Sequence, residues 1–144
     1  MAYTYPYPRP SVTADCVVIR HIQQQSEVLL IRRLKEPFKG MWALPGGFME
    51  MDELLKDTAR RELFEEAGIV AEHLKFIGIF DRPGRDPRGR TISAAYLLEG
   101  GEELRNEKPG SDACEAAWFH LSHLPSLAFD HAEIIGEAVK YIKK

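Results

Sequence analysis

Carboxylates are concentrated in one stretch of the chain, G-F-M-E-M-D-E-L-L-K-D-T-A-R-R-E-L-F-E-E-A-G-I from Gly47 to Ile69. It reads as a glycine turn followed by a helix, with Asp52 as N-cap and Gly68 just past the last turn. At about 100° per residue, Leu55, Ala59, Leu63 and Ala67 span an arc of about 120°, a stripe that faces a core. Glu62 and Glu66 fall about 20° either side of Leu55, and Glu65 about 60° beyond Glu62. Two carboxylates therefore sit on the shoulder of the buried face, with a third alongside. Like charges four residues apart cost a few tenths of a kcal/mol on an exposed helix, and partial burial raises that cost. A divalent cation reverses the sign. Hard ions such as magnesium take oxygen ligands, only a few of them protein carboxylates, and fill the remaining positions with water and substrate phosphate. The plainer alternative is a solvated acidic helix whose charges pair internally, Asp57 with Arg61 and Arg61 with Glu65.

Around this stretch the chain carries 144 residues, 44% of them hydrophobic, enough for one domain with its own core. A net charge of −3 argues against a nucleic-acid binder led by bulk electrostatics. Cys16 and Cys114 lie in apolar or small-residue contexts without paired spacing, as buried thiols do in a reducing compartment. The N-terminus lacks the basic start and apolar core of a signal peptide, and no apolar run reaches the ~18 residues of a membrane span. These features predict a cytoplasmic protein.

Residues 1–10 alternate Tyr3, Tyr5 and Tyr7 with Pro6, Pro8 and Pro10, which predicts an extended arm. Such an arm either lies along the domain and buries its tyrosine faces, or reaches a partner subunit in a homodimer or offers a ring to a nucleotide base. From residue 11 to 144 the pattern is a single domain. Val12–Ile19 and Val28–Ile31 read as strands separated by the polar loop H-I-Q-Q-Q-S-E. Trp42, a core residue, leads to Gly46-Gly47, where missing side chains permit positive φ and close backbone approach. After the helix come strands at Leu74–Phe80 and through T-I-S-A-A-Y-L-L, a last strand ending near Phe119, and a helix from about His131 to Lys143. Asp130 and Glu133 form a variant capping box for that helix, and His131 reads as structural. This order predicts an α/β fold, a mixed sheet flanked by helices on both faces.

Gly47, Glu53, Arg61, Glu62, Leu63, Glu65, Glu66, Gly68 and Ile69 match G-x5-E-x7-R-E-U-x-E-E-x-G-U at every fixed position. The chain thereby resembles the Nudix hydrolases, and looser similarity runs from about Val12 to about Tyr141. The resemblance implies an α/β/α sandwich. It also implies a metal site built from Glu62, Glu65, Glu66 and the carbonyl of Gly47, loaded with Mg2+ or Mn2+, in which Arg61 orients the first glutamate. Glu53 lies nearly opposite Glu62 on the wheel, so it reads as a brace for the glycine loop and not as a ligand. Asp112 and Glu115, just before the last strand, are both candidates for a further metal ligand or the base. Between strands, D-R-P-G-R-D-P-R-G-R places Arg82, Arg85, Arg88 and Arg90 in one loop. Arginine suits bidentate phosphate contact, although Asp–Arg pairs within the loop would also account for them. This loop, and S-D-A-x-E-A-x-W-F from Ser111, are similar to segments of Nudix enzymes that act on ADP-ribose.

The implied reaction is attack of water on a diphosphate, giving AMP and ribose 5-phosphate from ADP-ribose. Nucleoside triphosphates or other nucleotide sugars are the alternative substrates. A non-enzymatic alternative is an ADP-ribose-sensing module. Such regulators carry a DNA-binding winged helix behind the domain, for which the residues after the last helix leave no room. The expected partner is a small nucleotide, with neither nucleic acid nor membrane.

Overall fold

The run V-T-A-D-C-V-V-I is apolar almost without interruption, as a strand covered on both faces must be. In the computed structural model, which describes residues 2–104 and 115–142, it forms the centre of β1 (Ser11–Ile22). Alternate side chains enter opposite layers. Val17 and Ile19 join one core with Val28 and Leu30 of β2 (Gln25–Arg32), together with Ile134, Ile135 and Ala138 of α2 (His131–Ala138). Ala14, Cys16 and Val18 join the other, with Leu29, Ile31 and the stripe Ala59, Leu63 and Ala67 of α1 (Leu55–Ala67). The sheet thus lies between two helices, the α/β/α arrangement expected.

The remaining strands are β3 (Trp42–Ala43), β4 (Gly46–Phe48), β5 (Lys75–Phe80), β6 (Thr91–Gly100) and β7 (Glu115–His120). Their order is β3-β2-β1-β6-β5, with β4 on β1 and β7 on β2. The pair β1–β6 is parallel over ten residues and the other pairs are antiparallel. One edge of β1 forks. Its end, Ile19–Ile22, pairs with β2, and its beginning, Thr13–Asp15, pairs with β4. Residues 42–48 enter this fork, first along β2 and then along β1, where the Cys16 amide donates to the Pro45 carbonyl at 2.8 Å. A cleft opens beside them.

Three local features differ from expectation. The polar stretch after Ile19 continues both strands and turns at Gln23 and Gln24, with φ of 51° and 67°. Two successive left-handed residues fit the right-handed twist of a two-residue hairpin, and neither is the glycine or asparagine that would announce it. Asp52 does not cap α1. The cap is Leu54, without a side-chain bond, and Gly68 closes the helix in the left-handed region. Asp130 makes no side-chain cap on α2 either, because Arg85 occupies its carboxylate. The N-terminal tyrosines do not bury their faces: Tyr3 and Tyr7 are exposed, and Arg9 stacks on Tyr5. Trp42 packs edge-on against Phe119 in the core layer. Among the described residues no helix is long and apolar enough to cross a membrane.

Candidate active site

The glycines of β4 are selected by close approach and not by a left-handed backbone. A Cβ on Gly46 would lie 2.2 Å from Asp15 Oδ1 and 2.4 Å from the Ala14 carbonyl. One on Gly47 would lie 2.6 Å from the Glu62 carboxylate. Only bare backbone lets β4 press between β1 and α1. The Gly46 N–H donates to Glu66 Oε1 at 2.8 Å, which fixes the second shoulder carboxylate as the glycine gap fixes the first.

Arg61 ties this arrangement to the start of the helix. Its Nη1 donates to Glu62 Oε1 at 2.8 Å, its Nε and Nη2 to the two oxygens of Glu53 at 2.8 and 2.9 Å, and Nη2 also to the Phe48 carbonyl at 3.1 Å. Glu53 accepts in addition from the Glu50 amide and the Thr58 hydroxyl. The Arg61 guanidinium, with these donors, holds the Glu53 carboxyl down to about 2. Both shoulder carboxylates shift the other way. Burial raises Glu62. Burial, reinforced by the charges of Glu62 and Asp15, pushes Glu66 up to about 8 against the pull of the Gly46 amide. Glu65 is 53% exposed and reaches Arg61 at 3.4 Å.

Glu62, Glu66 and Gly47 line a cleft of about 540 Å³, whose other walls include Arg33, Phe48, Arg85, Arg88, Phe129 and His131. Among the described residues no three acidic, histidine or cysteine side chains already converge as a metal cage. Two partly buried carboxylates beside a strand of bare glycine backbone nonetheless fit a hard divalent ion, which completes its shell with water and substrate oxygens. The donor set is all oxygen.

The four loop arginines meet four different fates. Arg85 is buried, with Nε and Nη2 donating to Asp130 at 2.9 and 2.6 Å. Arg82 reaches out to Glu133, 2.7 Å away. Arg90 donates to the Asp81 carbonyl. Arg88 lies flat along Asp86, with Nε to Oδ1 at 3.0 Å and Nη2 to Oδ2 at 2.8 Å. Only Arg85 and Arg88 of the four line the cleft. Glu115 is exposed and does not line the cleft itself but faces Arg32, which does, at 3.8 Å, and Asp112 lies outside the described residues.

Sequence reading missed the cleft floor. Asp15 is 6% exposed and accepts from the buried Ser93 hydroxyl. His131 Nε2 stands 3.9 Å from the same Asp15 oxygen, while Nδ1 accepts from the Leu44 amide at 2.9 Å. Burial lowers the His131 pKa, and in the neutral ring the proton then belongs on Nε2. An aspartate inside an otherwise apolar strand was the available clue, since acids are rarely buried without a reason.

A carboxylate helix braced by arginine against a glycine strand, within a sheet between two helices, is an arrangement suited to holding a divalent ion against phosphate oxygens. The family model for the NUDIX domain matches residues 9–140. The chain belongs to the Nudix family and is a Nudix hydrolase, a family that uses divalent metals. It is 41% identical over 137 residues to an ADP-ribose pyrophosphatase of Methanocaldococcus jannaschii, covering 94% of this chain and 76% of that one. The NUDIX domain of Shewanella oneidensis NrtR, solved with ADP ribose, superposes with a TM-score of 0.85 at 28% identity, over 97% of this chain and 94% of that one. A bifunctional NMN adenylyltransferase/ADP ribose pyrophosphatase from Francisella tularensis, solved with AMP and a Mn ion, superposes with a TM-score of 0.83 at 32% identity, over 95% of this chain and 43% of that one.

Proposed function

We propose that this enzyme hydrolyses ADP-ribose to AMP and ribose 5-phosphate with Mg2+, in the cleft beside β4. The observation that carries the reading is the convergence of Glu62, Glu66 and Gly47 on a cleft also lined by arginine and aromatic side chains. The 41% identity to an ADP-ribose pyrophosphatase supports the substrate.

Glu62, Glu66 and the Gly47 carbonyl would hold the cation, with Glu65 close enough along the helix to assist. When bound, the ion supplies charge neutralisation on the diphosphate and an acidified water. The chain's own residues do the positioning. Arg61 holds Glu62 by its Oε1, and Glu53 holds Arg61 by both of its oxygens. The Gly46 amide turns Glu66 toward the same point. Such fixed geometry is most of what phosphoryl chemistry asks of a protein. Asp112 and Glu115 remain the proposed sources of the base.

Incubating the protein with ADP-ribose, a nucleoside triphosphate and a second nucleotide sugar, with Mg2+ present or withheld, tests the reading. AMP and ribose 5-phosphate should appear from ADP-ribose, only with the ion, and at the highest kcat/KM of the panel. Preference for the triphosphate would reject the substrate. A second reading, a module that senses ADP-ribose, is favoured by the likeness to the ADP-ribose-bound NrtR domain. Tight binding without turnover would select it.

A further inference from the structure

Between β3 and β4 the chain changes partners, leaving β2 at Ala43 and joining β1 at Gly46. Leu44 and Pro45 span the crossing, and neither ladder includes them. Pro45 has no N–H to satisfy, and its carbonyl accepts from the Cys16 amide. The Leu44 amide has no strand opposite it, although Leu44 is only 3% exposed. A buried N–H left unpaired costs about 1–3 kcal/mol, so an acceptor has to come from elsewhere. It is His131 Nδ1, 2.9 Å away and 87 positions along the chain, on the first residue of α2.

The segment before α2 delivers the ring to this point. Leu127 bridges to Trp42 in parallel: the Trp42 amide donates to the Ser126 carbonyl at 3.4 Å, and the Ala128 amide to the Trp42 carbonyl at 2.8 Å. On its other side, His131 Nε2 stands 3.9 Å from Asp15 Oδ2. Asp15 is the residue opposite Gly46 in the β1–β4 ladder, and it accepts from the Ser93 hydroxyl. One buried ring therefore brackets Gly46, from Leu44 two residues before it and from Asp15 across the ladder. An apolar side chain would fill the same volume without burying two ring nitrogens. The strand so bracketed has little freedom. A shift of β4 toward α1 would crowd the Glu62 carboxylate, and a shift away would break the Gly46 bond to Glu66.

We propose that His131 is a positioning residue for the metal carboxylates. By accepting from Leu44 it fixes the crossing that carries Gly46 and Gly47, and so sets how well Glu62 and Glu66 hold a divalent ion. This rests on the reading of Glu62, Glu66 and Gly47 as the cation site, and it adds a residue from the opposite helix layer that tunes that site without touching the ion.

Two substitutions separate the acceptor from the packing. His131→Asn keeps an oxygen acceptor near the place of Nδ1 and gives up the ring, whereas His131→Phe keeps a ring and gives up the acceptor. Mn2+ binding to the full chain is measured by electron paramagnetic resonance without substrate, with thermal melting as the folding control. His131→Phe should weaken Mn2+ by about 10- to 100-fold, and His131→Asn by less than about threefold. A role in packing alone predicts the reverse order, because asparagine leaves the larger void. Should His131→Phe fail to melt cooperatively, amide hydrogen exchange of the wild type, followed by NMR, carries the test. Coupling is reciprocal, so an ion whose binding depends on the Leu44–His131 bond must strengthen that bond, and Mg2+ should slow Leu44 exchange by about 5-fold or more. Three results each overturn the role: Leu44 exchange unmoved by Mg2+, unchanged Mn2+ affinity in folded His131→Phe, or His131→Asn weakened as much as His131→Phe. A wild type that binds no Mn2+ overturns the reading of the cation site instead, and the role with it.

Discussion

The helix α1 gathers glutamates and the loop from Asp81 to Arg90 gathers arginines, and the structure treats the two sets in opposite ways. In α1 the helical period sends Glu62 and Glu66 to one shoulder, where the bare backbone of β4 and the nearby Arg61–Glu53 pair hold them. In the loop, four arginines alike in sequence are divided among Glu133, Asp130, Asp86 and a backbone carbonyl. Regular structure converts spacing into position. A loop converts it into position only through the particular partner each side chain finds, within the loop for Arg88 and Arg90 and about 50 positions away for Arg82 and Arg85.

The largest test of that contrast is structural. Arg85→Ala would leave the largely buried Asp130 without its bidentate partner, a loss of about 3–5 kcal/mol, read as a lowered urea midpoint and melting temperature. Arg82→Ala removes a pair exposed on both sides and should leave both midpoints nearly unchanged. Equal losses would mean that the loop behaves as a unit and not as four separate contacts.

On the helix the expected effect is catalytic. Glu66→Gln should lower metal-dependent kcat by roughly two to three orders of magnitude, the scale of losing one preorganised electrostatic group, while melting is preserved. Full activity would break the comparison, because the shoulder carboxylates would then be as incidental as Arg82. Glu53→Gln acts one step further out. It weakens the hold on Arg61 and should lower activity by roughly 10- to 100-fold, the scale for groups that orient a ligand. Metal titration would place that loss in affinity for the cation.

The smallest effect belongs to the cleft floor. His131 faces Asp15 from β1 and lies near Asp130, Arg85 and Arg33, and its burial lowers its pKa. A depressed pKa means that the neutral ring favours folding. That contribution is complete above the unfolded value of about 6.5 and is lost as pH falls through the lower folded value. Melting temperature should therefore drop more steeply toward acid in wild type than in His131→Gln. Parallel curves would show that the ring titrates as though exposed.

Some readings were sound in place but wrong in cause. The double glycine does admit a close approach, yet at Gly46 and Gly47 the neighbours are Asp15 and Glu62 and not a left-handed turn. Asp130 looked sufficient as a helix cap, a local explanation that concealed its pairing with Arg85, 45 positions away. The hairpin at Gln23–Gln24 was hidden because tertiary pairing of β1 and β2 imposes a conformation that the two residues do not advertise.

The amino-acid sequence by itself determined the family motif, the buried stripe of α1, the carboxylate shoulder and the two-sided burial of β1, because each depends on a repeat within a few residues of chain. Only the tertiary structure decided that Ser93 and His131 both face Asp15, that Arg85 pairs with Asp130, and that Phe129 stands beside Arg88 in the cleft. Those outcomes depend on strand pairings and ion pairs between segments dozens of residues apart. No local period encodes such distances; they exist only once the sheet has closed.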